Sequence, residues 1–247
     1  MQFRSNQFST PEVVKNLIII NALFLLGTWA LPRVGINLTE HLGLFYFESQ
    51  QFRPWQMVTH FFMHGGLMHL VVNMFAIWMF GSRLEQVWGP KRFLTFYVVT
   101  AVGAFLLHAL VQFIQLQQLM PIISASDYQE VYENGRELLL RGRNYSDPDL
   151  RKLNEILNVN VVGASGAVFG VLAAFAMYFP NTRLMLLFPP IPIKAKYFVL
   201  FYAAFELFSG VANFQGDNVA HFAHLGGALF GFLLVKYWNK NNRSSLY

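Results

Sequence analysis

A hydroxyl and an imidazole can cleave an acyl bond if they meet in a site that restrains water, and this chain carries both groups inside apolar runs. Ser165 lies in the stretch Val161–Gly170, V-V-G-A-S-G-A-V-F-G, and the apolar run continues to Phe179. In soluble hydrolases Gly-x-Ser-x-Gly surrounds a nucleophile on a sharp strand-to-helix turn. Here the order is Gly163-Ala-Ser165-Gly166, no strand-like run precedes it, and a long apolar segment follows. The pattern predicts a serine about one turn into a membrane helix. Such a serine is commonly a packing residue that bonds a backbone carbonyl, so its chemistry depends on what stands near it.

Polar residues inside apolar spans are costly and are functional candidates by default. His69 and Asn73 share one apolar run. His221 and His224 open another. Glu85, His108 and Glu206 are the remaining candidates. His224, as a neutral imidazole, can take the proton of Ser165 as the hydroxyl attacks a carbonyl, and can return it to the leaving amine. No carboxylate is evident to orient the ring, so the expectation is a two-residue Ser–His arrangement with the imidazole held by packing. Phe169, four residues after Ser165 and on the same helix face, is placed to pack on it. His69 and Asn73, also four apart, can both donate hydrogen bonds to a developing oxyanion, together with the Ser165 backbone N–H near a helix start.

The elements that must position these groups are membrane helices. The chain is 55% hydrophobic and 13% charged, with 26 phenylalanines, whereas ordinary soluble domains carry about 25% charged residues. A bilayer-crossing helix needs about 20 apolar residues. Six candidates run over about Val14–Leu31, Leu67–Phe80 (extending past Gly81 towards Trp88), Phe93–Leu116, Val161–Phe179, Tyr197–Val211 and Val219–Trp238. Measured back from Pro180, Trp238 and Arg83, Ser165, His224 and His69 each lie about 21–22 Å from the inner end of their spans, hence at one depth. Gly166 and Gly170 in the fourth span, and Ala223, Gly227 and Gly231 in the sixth, form small-residue stripes that let two backbones approach.

With six spans, eleven of the eighteen Lys and Arg residues fall on one side: Arg4, Lys15, Arg83, Lys91, Arg92, Arg183, Lys194, Lys196, Lys236, Lys240 and Arg243. The positive-inside rule puts that side, with both termini, in the cytoplasm. Residues 33–66 mix Phe45, Tyr46, Phe47, Phe52, Trp55, Phe61 and Phe62 with polar groups, as an interfacial hairpin does. Residues 117–160 are a polar insertion. Asp147-Pro148 can start a helix there, with Leu150, Leu153 and Leu157 on one face, and 127–140 suits a second helix, although a plain surface loop is the simpler expectation. The absence of cysteine excludes disulfides and Cys-based metal sites. The polar first fifteen residues resemble no signal peptide. The scattered basic residues, despite a net charge of +5, do not suggest nucleic-acid binding.

Taken together, His69-Leu-Val-Val-Asn73, Gly163-Ala-Ser165-Gly166, Ala223-His224-Leu-Gly226-Gly227-x-x-x-Gly231 and Gly81-x-x-x-Glu85-x-x-x-Gly89 resemble the motifs of the rhomboid family of intramembrane serine proteases. The resemblance implies an all-α, six-transmembrane-helix bundle forming a single membrane domain over 1–247, with an interfacial first outer loop and an insertion at about 117–160 between the third and fourth spans. It implies Ser165 as nucleophile, His224 as general base, and His69 and Asn73 at the oxyanion. Gly163, Gly166, Phe169, Gly227 and Gly231 support the packing. It further implies cleavage of transmembrane helices of other proteins near the outer membrane face, without metal or cofactor. The partners are then membrane-protein substrates and the bilayer, and a bacterial inner membrane is the expected location. Nothing in these motifs fixes the oligomeric state. Many family members have Trp-Arg in the first outer loop where this chain has Trp55-Gln56, which questions a hydrogen-bond network there.

Two other classes are compatible with parts of the pattern. His60 and His64, or His221 and His224, are spaced as metal ligands on a helix face, but neither pair has an evident carboxylate. A non-catalytic adaptor that binds helices would use the same fold.

Overall fold

Apolar runs of this length have one inexpensive solution in a bilayer: each backbone polar group must be paired within its own segment, which selects helices. The computed structural model describes residues 9–185, 190–212 and 220–244, and these are mostly helical. Arg4, and Val219 at the expected start of the sixth span, lie outside them. In chain order the helices are α1 (Glu12–Ala30), α2 (Leu38–Leu42), α3 (Gln56–Thr59), α4 (Leu67–Ala76), α5 (Ser82–Trp88), α6 (Pro90–Leu119), α7 (Ala125–Leu140), α8 (Pro148–Asn158), α9 (Ser165–Tyr178), α10 (Ala195–Ala212) and α11 (His221–Ser244). A short antiparallel pair, β1 (Arg183–Met185) and β2 (Pro192–Lys194), precedes α10. The sequence pattern did not suggest it.

Among the described residues, four helical stretches are long and apolar enough to cross a membrane: Glu12–Val34, Leu67–Trp88, Pro90–Leu119 and Ala195–Ala212. They cover the first, second, third and fifth expected spans. The second is continuous because a wide turn at Ile77–Gly81 joins α4 to α5. The fourth expected span is shorter than predicted. α9 has 14 residues, about 21 Å of helix against a hydrocarbon core of about 30 Å. Residues before it are extended, not helical: Val161 and Leu44 exchange backbone hydrogen bonds of 2.8 and 2.9 Å, and Gly163 has φ +132°. α11 has 24 residues, but its last turns carry Lys236, Asn239 and Lys240.

The centre of the bundle is built on missing side chains. A Cβ on Gly227 of α11 would lie 1.7 Å from the Gly166 carbonyl oxygen of α9, and one on Gly231 would lie 2.9 Å from Gly170 Cα. α6 closes the third side, where a Cβ on Gly226 would meet the Gly103 carbonyl oxygen at 2.7 Å and one on Gly166 would meet Ala104 at 2.4 Å. At the far end of these helices Trp88, Phe96, Tyr178 and Trp238 form an aromatic cluster. Glu85, itself buried, accepts the Val13 and Val14 N–H groups, both at 2.9 Å. A carboxylate at a helix N-terminus satisfies orphan donors and complements the helix dipole.

The two polar segments are more ordered than a loop reading allows. In residues 33–66 the buried Gln56 amide accepts the Arg53 N–H at 3.1 Å and donates to the Gln51 carbonyl at 3.0 Å. The Trp55 indole N–H reaches the His41 carbonyl at 3.0 Å. Gln56 thus supplies a network of its own where Trp-Arg was missed. The 117–160 insertion is a helical hairpin of α7 and α8, not a plain loop. Asp147 caps α8 through the Asp149 and Leu150 N–H groups, and Val131, Leu153, Ile156 and Leu157 join Tyr46, Leu116 and Leu119 in a separate core. Arg136 ties this hairpin to residues 33–66 by pairing with Glu40, and within the hairpin it donates to the Asn158 carbonyl at 2.7 Å.

Candidate active site

Ser165 is the first residue of α9, not a residue one turn into it. The non-helical residues 161–164 hold it there. Gly163 donates its N–H to the His60 carbonyl at 3.0 Å, and its left-handed φ of +132° is one that a side chain resists. Any Cβ there would also sit 2.8 Å from His69 Cε1. No side chain caps α9, so its first N–H groups, that of Ser165 included, have no intrahelical acceptor.

His224, in the first turns of α11, places Nε2 2.8 Å from Ser165 Oγ. The ring is buried and lies flat against Phe169, with centroids 4.3 Å apart and planes at 7°. Phe169 in turn packs on Tyr202 at 4.7 Å. The expected contact between the helices that carry Ser165 and His224, and the Phe169 stacking, are therefore present as geometry.

The expectation that no carboxylate orients the histidine is overturned. Glu206 of α10, buried within the bundle, places Oε2 2.9 Å from His224 Nδ1 and 2.7 Å from His221 Nδ1. A carboxylate only accepts, so each imidazole turns its Nδ1–H toward Glu206. His224 Nε2 is then the unprotonated nitrogen and accepts the Ser165 hydroxyl. The signal was in the sequence: a glutamate in an apolar helix must find a partner. What sequence could not supply was which helix α10 would lie against.

His69 of α4 borders the same space. Its Nδ1 accepts the Gly65 N–H at 3.4 Å, which leaves the proton on Nε2, the edge that faces Gly163. Asn73 is buried one turn below, and its amide donates to the His69 carbonyl at 2.9 Å, keeping one N–H in hand. His60 and His64, the other pair considered as metal ligands, lie between α3 and α4. His60 donates Nδ1–H to the Gln56 carbonyl at 2.6 Å, and burial lowers its pKa to about 4.

The arrangement of hydroxyl, imidazole and carboxylate, with N–H groups beside the hydroxyl, has the parts needed for acyl transfer. Comparisons with known proteins agree with the fold. The family described as Rhomboid domain matches residues 51–240. The chain is similar to "Rhomboid protein 1, mitochondrial" of Saccharomyces cerevisiae, 26% identical over 87% of this chain and 50% of that protein. It is similar to "Presenilin-associated rhomboid-like protein A, mitochondrial" of Danio rerio, 26% identical over 95% of this chain and 50% of that protein. It also resembles "Rhomboid protease AarA" of Providencia stuartii, 25% identical over 73% of this chain and 54% of that protein. The chain thus spans about half the length of these relatives. The mitochondrial names conflict with the expected bacterial inner membrane, and that expectation is withdrawn in favour of an integral membrane protein without an assigned organelle. With the family match covering most of its length and its helices apolar enough to span a bilayer, the chain belongs to the rhomboid family of membrane proteins.

Proposed function

We propose that this chain is an intramembrane serine endopeptidase that cuts transmembrane segments of other membrane proteins near the extracytoplasmic face. It would act as one domain of six spans with both termini in the cytoplasm. The observation that carries the reading is the 2.8 Å approach of His224 Nε2 to Ser165 Oγ. The relative from Providencia stuartii named as a rhomboid protease lends it support.

In this reading Ser165 Oγ attacks the scissile carbonyl while its proton passes to His224 Nε2. The imidazolium so formed is stabilised by Glu206 through Nδ1–H. The oxyanion forms where the Ser165 N–H and His69 Nε2–H converge, with Asn73 one turn behind. His224 then gives its proton to the leaving amine, leaving an acyl-serine. Water, deprotonated by the same imidazole, hydrolyses that ester and restores the hydroxyl.

The test uses detergent-solubilised protein and a single-span model substrate. Wild type should cleave, Ser165→Ala and His224→Ala should lose at least about 10³-fold, and a serine-reactive phosphonate should label Ser165. Binding of the substrate without cleavage would favour an adaptor instead.

A further inference from the structure

Glu206, His221 and His224 do more than orient one ring. Among the described residues these three buried side chains bring one ligand atom each within 4.8 Å of one another. Glu206 Oε2 is the hub, 2.7 Å from His221 Nδ1 and 2.9 Å from His224 Nδ1. Two imidazoles and one carboxylate are a ligand set that Zn²⁺ accepts, with a fourth position left for water. Harder ions such as Mg²⁺ prefer oxygen donors and would be discriminated against.

We propose that the Glu206–His221–His224 cluster binds a divalent ion of the zinc type and that the ion holds the enzyme off. The proposal rests on the reading of His224 as general base. A tetrahedral centre with bonds of about 2.1 Å sets its ligand atoms about 3.4 Å apart. Glu206 must therefore draw back by roughly half an ångström or slightly more, and the two Nδ1 atoms, which lie within 4.8 Å of each other, must close by up to about 1.4 Å, shifts within reach of side-chain rotations.

The switch is one of tautomers. A neutral imidazole carries one N–H. In the metal-free arrangement that hydrogen sits on His224 Nδ1, facing Glu206, and the Nε2 lone pair is available to Ser165. An ion on Nδ1 obliges the hydrogen to sit on Nε2. Nε2 then donates to Ser165 Oγ and has no lone pair with which to take its proton. Each ring moves its hydrogen from Nδ1 to Nε2, so no net proton is lost. The ion leaves the space beside His69 and Gly163 open, so substrate still binds: kcat falls while KM holds.

The first experiment is independent of activity. Ser165→Ala protein, stripped with chelator, is titrated with Co²⁺ and read by visible absorption. One equivalent with tetrahedral bands, displaced by Zn²⁺ and weakened about tenfold or more by His221→Gln or Glu206→Gln, supports the site. No such bands, or bands unchanged in both variants, overturn it. The second experiment measures wild-type cleavage with added Zn²⁺. Inhibition reversed by chelator, acting on kcat, with the half-inhibitory concentration raised about tenfold or more by His221→Gln, supports the switch. Equal inhibition of wild type and variant overturns it. If Co²⁺ binds through these residues but wild type cleaves nothing, the metal site stands and the protease reading is what fails.

Discussion

The seam between α9 and α11 and the attachment of α10 bring groups to the same site by opposite means. The seam is backbone on backbone. Gly227 rests on the Gly166 carbonyl and Gly231 on Gly170, with no room for a methyl at either point. α10 instead turns Tyr197, Leu200, Phe201, Phe205, Phe208 and Val211 outward, and the residues it buries are Ala195, Glu206 and Ser209. Ser165 and His224, whose separation must hold to a few tenths of an ångström for proton transfer, ride on the rigid seam. Glu206, which only has to offer a carboxylate oxygen to two rings, rides on a helix that turns most of its large apolar side chains outward. Positional demand and packing stiffness run in parallel.

The sharpest way to break the comparison is Gly227→Val. The new side chain would overlap the Gly166 carbonyl, and overpacking against backbone cannot be relieved by a rotamer change. Cleavage should fall by at least about 10³-fold, with a lowered thermal midpoint in detergent. A variant that folds and cleaves like wild type would refute the role given to the seam. Next in size is Glu206→Gln. The amide can still meet the rings but cannot stabilise an imidazolium by charge. A loss in kcat on the order of 10²-fold is expected, at the lower end of what assisted proton transfer contributes, with the thermal midpoint nearly kept.

A subtler probe is acid. His60 carries the carbonyl that holds Gly163, and burial lowers its pKa from 6.5 to about 4. Between those values the unfolded chain binds the proton and the folded one does not. Stability is therefore fully present above pH 6.5 and declines as pH falls toward 4, by up to about 3 kcal/mol. Thermal midpoints at pH 7 and 4.5 should differ, and His60→Gln should shrink the difference without abolishing it, because burial lowers the pKa of His64 to about 4 as well. Smallest is Phe201→Ala, on the outward face of α10 and 76% exposed. Cleavage should stay within about twofold of wild type, as surface changes usually do.

Much of the fold was legible because membrane helices announce themselves by length and apolarity. The expected first, second, third and fifth spans correspond to helices that meet that standard. The fourth was overextended because Val161–Ala164 is as apolar as the helix it precedes. What ends the helix there is the Leu44–Val161 bridge, contributed by residues more than a hundred positions away. The hairpin of α7 and α8 was only half legible for a similar reason. Its capping signal at Asp147 and its leucine face were visible, but the Tyr46 and Leu116 surface that completes its core comes from elsewhere.

By itself the sequence determined that the chain lives in a membrane, that a serine and a histidine sit in apolar runs at similar distances from the runs' ends, and that glycine stripes lie beside both. Those properties follow from composition and helical period, which are local. Only the tertiary structure decided that Ser165 starts its helix, that Gly166 and Gly227 touch, and that Glu206 faces His221 and His224. Each depends on which helix lies against which and in what rotation, a choice made by packing across the whole bundle, and no single segment encodes it.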